Sequence, residues 1–250
     1  MARGRPPLGA RAGVAEGWDV RALLYDIHGN LPALDAVIAD ARSAGADEFV
    51  FGGDYALTGA FPQECVKRIE EVSDELIRGN TERWLEDPSD VPDDDLVRRL
   101  IEYCRGELGG DRVERLFDLP PSVTLDGALV CHASPHGDML TFMPEPTAGD
   151  HELLAHTEET VIFFGHSHIQ FQREGEGGRL LVNAGSVGLP FDGDRRAAYA
   201  LWQGGRAVEL RRVEYDSDGY ADSVRDRMAE ALGPGVEAIV RRIQQAAFVQ

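Results

Sequence analysis

Leu23-Leu24-Tyr25-Asp26-Ile27-His28-Gly29-Asn30 is an apolar run that passes directly into an acid, a histidine and a turn. Alternate side chains of a strand point to opposite faces, so Asp26 and His28, two residues apart, are expected to reach one point just past the strand end. The same pattern recurs in Phe49-Val50-Phe51-Gly52-Gly53-Asp54, Leu76-Ile77-Arg78-Gly79-Asn80, Ala128-Leu129-Val130-Cys131-His132 and Val161-Ile162-Phe163-Phe164-Gly165-His166-Ser167-His168. Five strand-like runs thus end in residues whose oxygen or nitrogen atoms bind metal ions.

Outward from the first run, Asn30 is placed to cap a helix in which Leu34, Val37, Ile38 and Ala41 recur at helical spacing, and residues 48–52 supply the next strand. Strand, helix and strand make a βαβ unit, hence a parallel pair with a right-handed crossover. A second helix carrying Cys65, Val66, Ile69 and Val72 leads to a short strand at 75–78. Residues 84–118 then read as a helical insertion behind an acidic run, either a solvated appendage or a lid. Asp126-Gly127 between apolar runs signals a hairpin. Short strands follow at 161–164, 169–173, 180–183, 199–202 and 208–213, and helices at about 220–232 and 236–248 close the chain. The fold class is therefore α/β with mixed sheets, read as one domain over 18–250 behind a flexible tail at 1–17.

The chain has 250 residues, 43% hydrophobic and 28% charged, which suits a folded globular domain. Its net charge of −19 disfavours long nucleic acid and anionic membranes as partners. Three cysteines at unrelated spacings fit neither a disulfide framework nor a zinc knuckle, so a reducing, cytoplasmic setting is expected. No apolar stretch is long enough to span a bilayer.

Asp26, His28, Asp54, Asn80, His132, His166 and His168 all fall where predicted strands finish, the edge at which α/β sheets bind ligands. Seven donors exceed the needs of one tetrahedral ion, so two divalent metals are expected. Mixed oxygen and imidazole ligation points to manganese first, with iron, zinc, nickel or cobalt as alternatives. Cys131, beside His132, belongs on the opposite strand face, in the core.

Asp26-Ile27-His28, Gly53-Asp54, Gly79-Asn80, His132 and Gly165-His166-Ser167-His168 together resemble the calcineurin-like metallophosphoesterase superfamily, and most of all its small prokaryotic phosphodiesterases. That resemblance implies a four-layer αββα sandwich with Asp26, His28 and His168 on one metal, Asn80, His132 and His166 on the other, and Asp54 bridging. It further implies a small-molecule phosphoester as partner and its hydrolysis by in-line attack of a metal-bridging hydroxide, with Asp54 and His132 catalytic. Many members carry histidine after the Gly-Asn pair where this chain has Thr81, which cannot act as a cationic acid; His136 is the candidate substitute. Asn30, Asn183 and Ser186, the latter two in an Asn-x-Gly-Ser loop, and Arg195 are candidate substrate contacts. Two other functions fit the same residues: a non-catalytic protein-binding scaffold on this fold, and a phosphoprotein or nucleoside polyphosphate phosphatase. The oligomeric state is not legible.

Overall fold

The computed structural model describes residues 19–248 apart from His156, so the tail expected at 1–17 lies outside the described residues. The opening stretch forms β1 (Arg21–Leu24), α1 (Leu31–Ser43) and β2 (Glu48–Phe51), with β1 and β2 parallel and Leu24 opposite Phe51. Asn30 caps α1: its Oδ1 accepts from the Ala33 N–H at 3.1 Å, satisfying a donor that a first helical turn leaves without a partner. Beneath the helix, Leu34, Val37, Ile38 and Ala41 are buried.

β8 (Ala197–Trp202) and β9 (Val208–Val213) complete the first sheet in the order β2-β1-β8-β9, with β8 antiparallel to both neighbours. The second sheet runs β3-β4-β5-β7-β6, from β3 (Ser122–Leu125), β4 (Ala128–Cys131), β5 (Val161–Phe164), β6 (Phe171–Glu174) and β7 (Leu180–Asn183). Its three inner strands are parallel and both edges antiparallel, so each sheet is mixed. Between β3 and β4, Asp126 and Gly127 both take positive φ (46° and 80°), the turn that matches strand twist.

Strand alternation sorts the core into layers. Leu23 of β1 joins Val50, Val130, Phe163, Val182 and Trp202 between the sheets, whereas Ala22 and Leu24 face the helices. On that outer side α1 is joined by α2 (Pro62–Glu70), α3 (Asn80–Glu86), α4 (Asp95–Leu108), α5 (Gly110–Phe117), α7 (Ser217–Leu232) and α8 (Val236–Gln245). The fourth layer is thin: Phe142, Leu153 and Leu154 cover Ile162, Phe164 and Leu181, and its only helix among the described residues is the four-residue α6 (Asp150–Leu153). The αββα sandwich expected from the sequence is present, with most of its helical mass on one side.

Two elements depart from expectation. Residues 75–78 form no strand but a single parallel bridge, Leu76 to Phe51, because the chain turns at Gly79 straight into α3. The insertion is helical and is not a loose appendage: Leu100, Ile101, Cys104, Leu108, Val113 and Leu116 are buried in the main cluster, while residues 86–90 and 92–95 stay exposed. Cys65, Cys104 and Cys131 are all buried free thiols. Among the described residues no helix is long and apolar enough to cross a membrane.

Candidate metal centre

β1 stops at Leu24, so Asp26 and His28 do not converge by strand alternation as the sequence suggests. Both are left-handed instead, with φ of 54° and 46°; Asp54, His166 and His168 follow at 60°, 66° and 58°. Non-glycine residues pay roughly 1–2 kcal/mol for this region, and such strain persists only where the surroundings over-determine it. Here they do: Asp26 N donates to Gly53 O at 3.1 Å, His28 N to Asp54 O at 3.0 Å, and Gly188 N to Asp26 O at 3.0 Å, so the loops stay zipped beyond the strands. Close approach also demands glycine. A Cβ on Gly53, whose φ is 96°, would lie 2.6 Å from Gly79 N, and one on Gly79 would lie 2.3 Å from Asp54 Oδ1.

The seven expected ligands come together. His28 Nε2 lies 3.1 Å from His168 Nε2, which is 3.5 Å from Asp26 Oδ1. Across the site, Asn80 Oδ1 is 3.0 Å from both His132 Nε2 and His166 Nδ1, and those nitrogens are 3.3 Å apart. Asp54 lies between them, with Oδ2 3.7 Å from His28 Nε2 and Oδ1 3.5 Å from His132 Nε2. Asp26 belongs to both groups, since its Oδ1 is also 4.0 Å from His132 Nε2. Asn80 is the first residue of α3 rather than a strand end.

Tautomers explain why this crowd needs cations. His28 Nδ1 faces Leu57 O at 2.8 Å, His132 Nδ1 faces Gly52 O at 2.8 Å, and His168 Nδ1 faces Leu189 O. A carbonyl can only accept, so each Nδ1 carries the hydrogen and each neutral ring aims its Nε2 lone pair inward. The lone pairs of these three rings, the Asn80 amide oxygen and the Asp26 carboxyl oxygen then confront one another at 3.0–4.0 Å. Asp26 Oδ1 is wholly buried without a hydrogen-bond partner. This donor set, hard oxygens and imidazoles without thiolate, fits divalent metal ions; Cys131 turns away, its Sγ toward Phe163 O, and burial holds its thiol protonated.

The charges of the chain itself divide the imidazoles into two pairs. Burial pushes His28 down and brings His166 to about 4, with the partner imidazole adding repulsion in each case. His168 and His132 rise despite burial, drawn up mainly by Asp26 and by Asp54 respectively. Burial opposes the Asp26 carboxylate, but His168, His132 and His28 around it hold it well below its ordinary range.

Several supporting residues were not evident from sequence. Glu82, wholly buried, accepts from Asp54 N (2.8 Å) and Gly79 N (2.9 Å) through Oε2 and from Tyr55 N (2.8 Å) through Oε1, fixing two ligand loops. Glutamate at the third position of a helix is a capping signal, legible once Asn80 is placed at a helix start. Phe191 stacks on His168 at 4.4 Å and 15°.

The candidate substrate contacts lie elsewhere. Asn30 is fully buried and, besides capping α1, donates to Gly188 O and Tyr215 Oη. Asn183 Nδ2 donates to Gly165 O and Ser167 Oγ, each at 2.9 Å, and Ser186 Oγ donates to Asp26 O at 2.7 Å. These three brace the ligand loops rather than face a ligand. Arg195 pairs with Asp218 and lines a different cavity with Tyr215 and Ser217. His136 is exposed on the Ser134–Gly137 turn, four residues beyond His132. Thr81 is buried, its hydroxyl turned to Glu82. Because outer-shell partners typically hold 10–100-fold of metal affinity, Asn183→Ala is expected to weaken metal binding by about that factor in a folded protein. Titration calorimetry with Mn²⁺ checks it, and unchanged affinity would deny Asn183 a positioning role.

Comparison with known proteins agrees with this geometry. Residues 22–203 match the family model of the calcineurin-like phosphoesterase superfamily domain, and the chain belongs to that family. The family implies divalent metal ions, which the paired Asp and His clusters are constituted to hold. An uncharacterized protein of Methanocaldococcus jannaschii, MJ0912, is 28% identical over 234 residues, spanning 85% of this chain and 95% of that one. In fold, the chain is similar to a metallophosphoesterase from Sphaerobacter thermophilus (TM-score 0.77, 23% identity, 92% of this chain and 100% of that one). It is likewise similar to the hypothetical protein PH1004 of Pyrococcus horikoshii OT3 (TM-score 0.76, 22% identity, 90% and 98%).

Proposed function

We propose that this chain hydrolyses phosphate esters at a pair of divalent metal ions, manganese foremost, and that phosphodiesters are its preferred class. The observation that carries the reading is the array of inward-facing acceptors, with both oxygens of Asp54 turned toward opposite halves of the site. Divalent ions bound there would supply Lewis acidity toward a phosphate oxygen and a water molecule acidified to near-neutral pKa. The chain's own part is placement. Asp26 and Asp54 supply two negative charges to bind the ions, and the imidazoles, neutral in their inward tautomer, add none. The centre therefore stays positive toward an anionic ester in a protein of net charge −19.

Proton delivery to a leaving group is the weak step. Thr81 sits where an imidazole would serve, and its hydroxyl is committed to Glu82. A missing general acid removes about 10²–10⁴ in rate, and least where the leaving group departs unprotonated, which favours aryl over alkyl esters. The test is to strip metal with chelator, restore Mn²⁺ and assay mono- and diester panels. Metal-restored turnover is expected on diesters, with p-nitrophenyl exceeding alkyl leaving groups. Two equivalents of bound metal without turnover of any ester would defeat this reading and leave a binding scaffold.

A further inference from the structure

A cavity of about 300 Å³ opens beside the half of the site built from Asn80 and His132, with Arg78, Arg83, Ser134, His136 and Asp138 in its wall. Two of its sides continue directly into ligand-bearing chain: Arg78 precedes Gly79-Asn80, and Ser134 follows His132 by two residues. Asp138, held low by Arg83 against the effect of burial, also lies near enough to His132 and Arg78 to feel their charge. The cavity thus lies within two residues, along the chain, of both Asn80 and His132, neither of which lines it.

Its charges are unevenly shared. Asp138 grips Arg83 with two bonds, Nε to Oδ2 at 2.8 Å and Nη2 to Oδ1 at 3.0 Å, while Asp90 takes Nη1 at 2.6 Å. Those two carboxylates fix Arg83 and more than neutralise it. Arg78 makes no ion pair among the described residues: its Nη1 donates to Phe117 O at 2.7 Å and its guanidinium lies 4.9 Å from the Phe117 ring centroid. That leaves the other face of a planar fork, the shape that matches phosphate oxygens, without an anion. Ser134 is 2% exposed, and its Oγ has no hydrogen-bond partner. His136 stands exposed on the same wall. The volume is at the lower end for small-molecule sites, enough for a phosphate and the sugar that carries it.

We propose that this cavity binds a second phosphate group of the substrate, so that the physiological substrate is a phosphodiester bearing a further phosphate on the side that reaches Arg78. The proposal rests on the phosphoesterase reading above, and the experiment separates the two. On Mn²⁺-restored protein, thymidine 5′-(p-nitrophenyl phosphate) is compared with the same compound carrying a 3′-phosphate. The phosphorylated member is expected to have a kcat/KM at least about tenfold higher, expressed in KM, from a charge-assisted hydrogen bond. Arg78→Ala removes the preference and Ser134→Ala reduces it, while turnover of the unphosphorylated member is unchanged in both. Equal kcat/KM for the pair, or a preference that survives intact in either variant, overturns the proposal. If neither compound is hydrolysed, the phosphoesterase reading has failed, and binding of inorganic phosphate to metal-free protein decides the cavity. Binding weakened at least about tenfold by Arg78→Ala upholds the cavity as a phosphate site; no binding, or equal binding in the variant, overturns that too.

Discussion

Asp54→Asn is expected to retain at most one equivalent of tightly bound metal and to lose at least about 10² in turnover, while thermal unfolding remains a single cooperative step. The size follows from position. Residues that hold a metal's ligands in place typically contribute 10–100-fold to metal affinity or activity, and Asp54 acts closer than that, with one oxygen 3.7 Å from His28 Nε2 and the other 3.5 Å from His132 Nε2. An amide of the same volume keeps the packing and can still accept from Thr81 N, bonded to Oδ1 at 3.0 Å. It removes the negative charge, however, and turns an N–H donor toward one half of the site, where only acceptors belong. Metal analysis on the purified variant, alongside p-nitrophenyl diester assays, reads both effects. Full activity would exclude Asp54 from bridging the two halves.

The largest effect on stability is expected at Glu82. Truncation to alanine strips three buried backbone donors, those of Asp54, Tyr55 and Gly79, of their acceptors. At about 1–3 kcal/mol for each group left unsatisfied, Glu82→Ala should cost roughly 3 kcal/mol or more. Glu82→Gln, which keeps one acceptor and the volume, should cost less and isolates a pH effect. In the metal-free chain, burial first and the Asp54 charge second push the Glu82 carboxyl up to about 7. A carboxyl that titrates higher when folded than when unfolded contributes stability that is complete below its ordinary value, near 4.5, and is lost as pH rises through 7. Between those pH values metal-free wild type should lose on the order of 3 kcal/mol relative to Glu82→Gln. Urea denaturation of both proteins at the two pH values measures it. A difference that does not change with pH would mean that Glu82 is ionised throughout.

Much of this was legible in the chain because it is encoded locally. The α1 stripe Leu34, Val37, Ile38 and Ala41, the Asn30 cap and the Asp126-Gly127 turn each depend on neighbours within a few residues, and each stands in the structure as read. The seven ligand types were visible because each follows an apolar run. How they converge was not visible. No local rule places Asp26, His28 or His168 in the left-handed region; hydrogen bonds to chain far away in sequence do so, such as His28 N to Asp54 O and Phe191 N to His168 O. Glu82 is not legible because residues 75–78 read as a strand with Asn80 just past its end, which hides the helix start that makes a third-position glutamate meaningful. Asn183 and Ser186 read as substrate contacts for a related reason: polar side chains beside glycines look alike in sequence whether they face solvent or hold up a neighbouring loop.

Five of the eight non-glycine residues with positive φ among the described residues are these metal-binding candidates. Glycine would sit at any of them with less strain, so selection for foldedness alone pulls against the chemistry at most corners of the site. A descendant relieved of hydrolysis would therefore gain sturdiness as it shed its ligands one by one, with the sandwich beneath unaffected. The five strained corners in this chain all carry metal-binding side chains rather than glycine, a cost that the proposed hydrolysis accounts for and a bare scaffold does not.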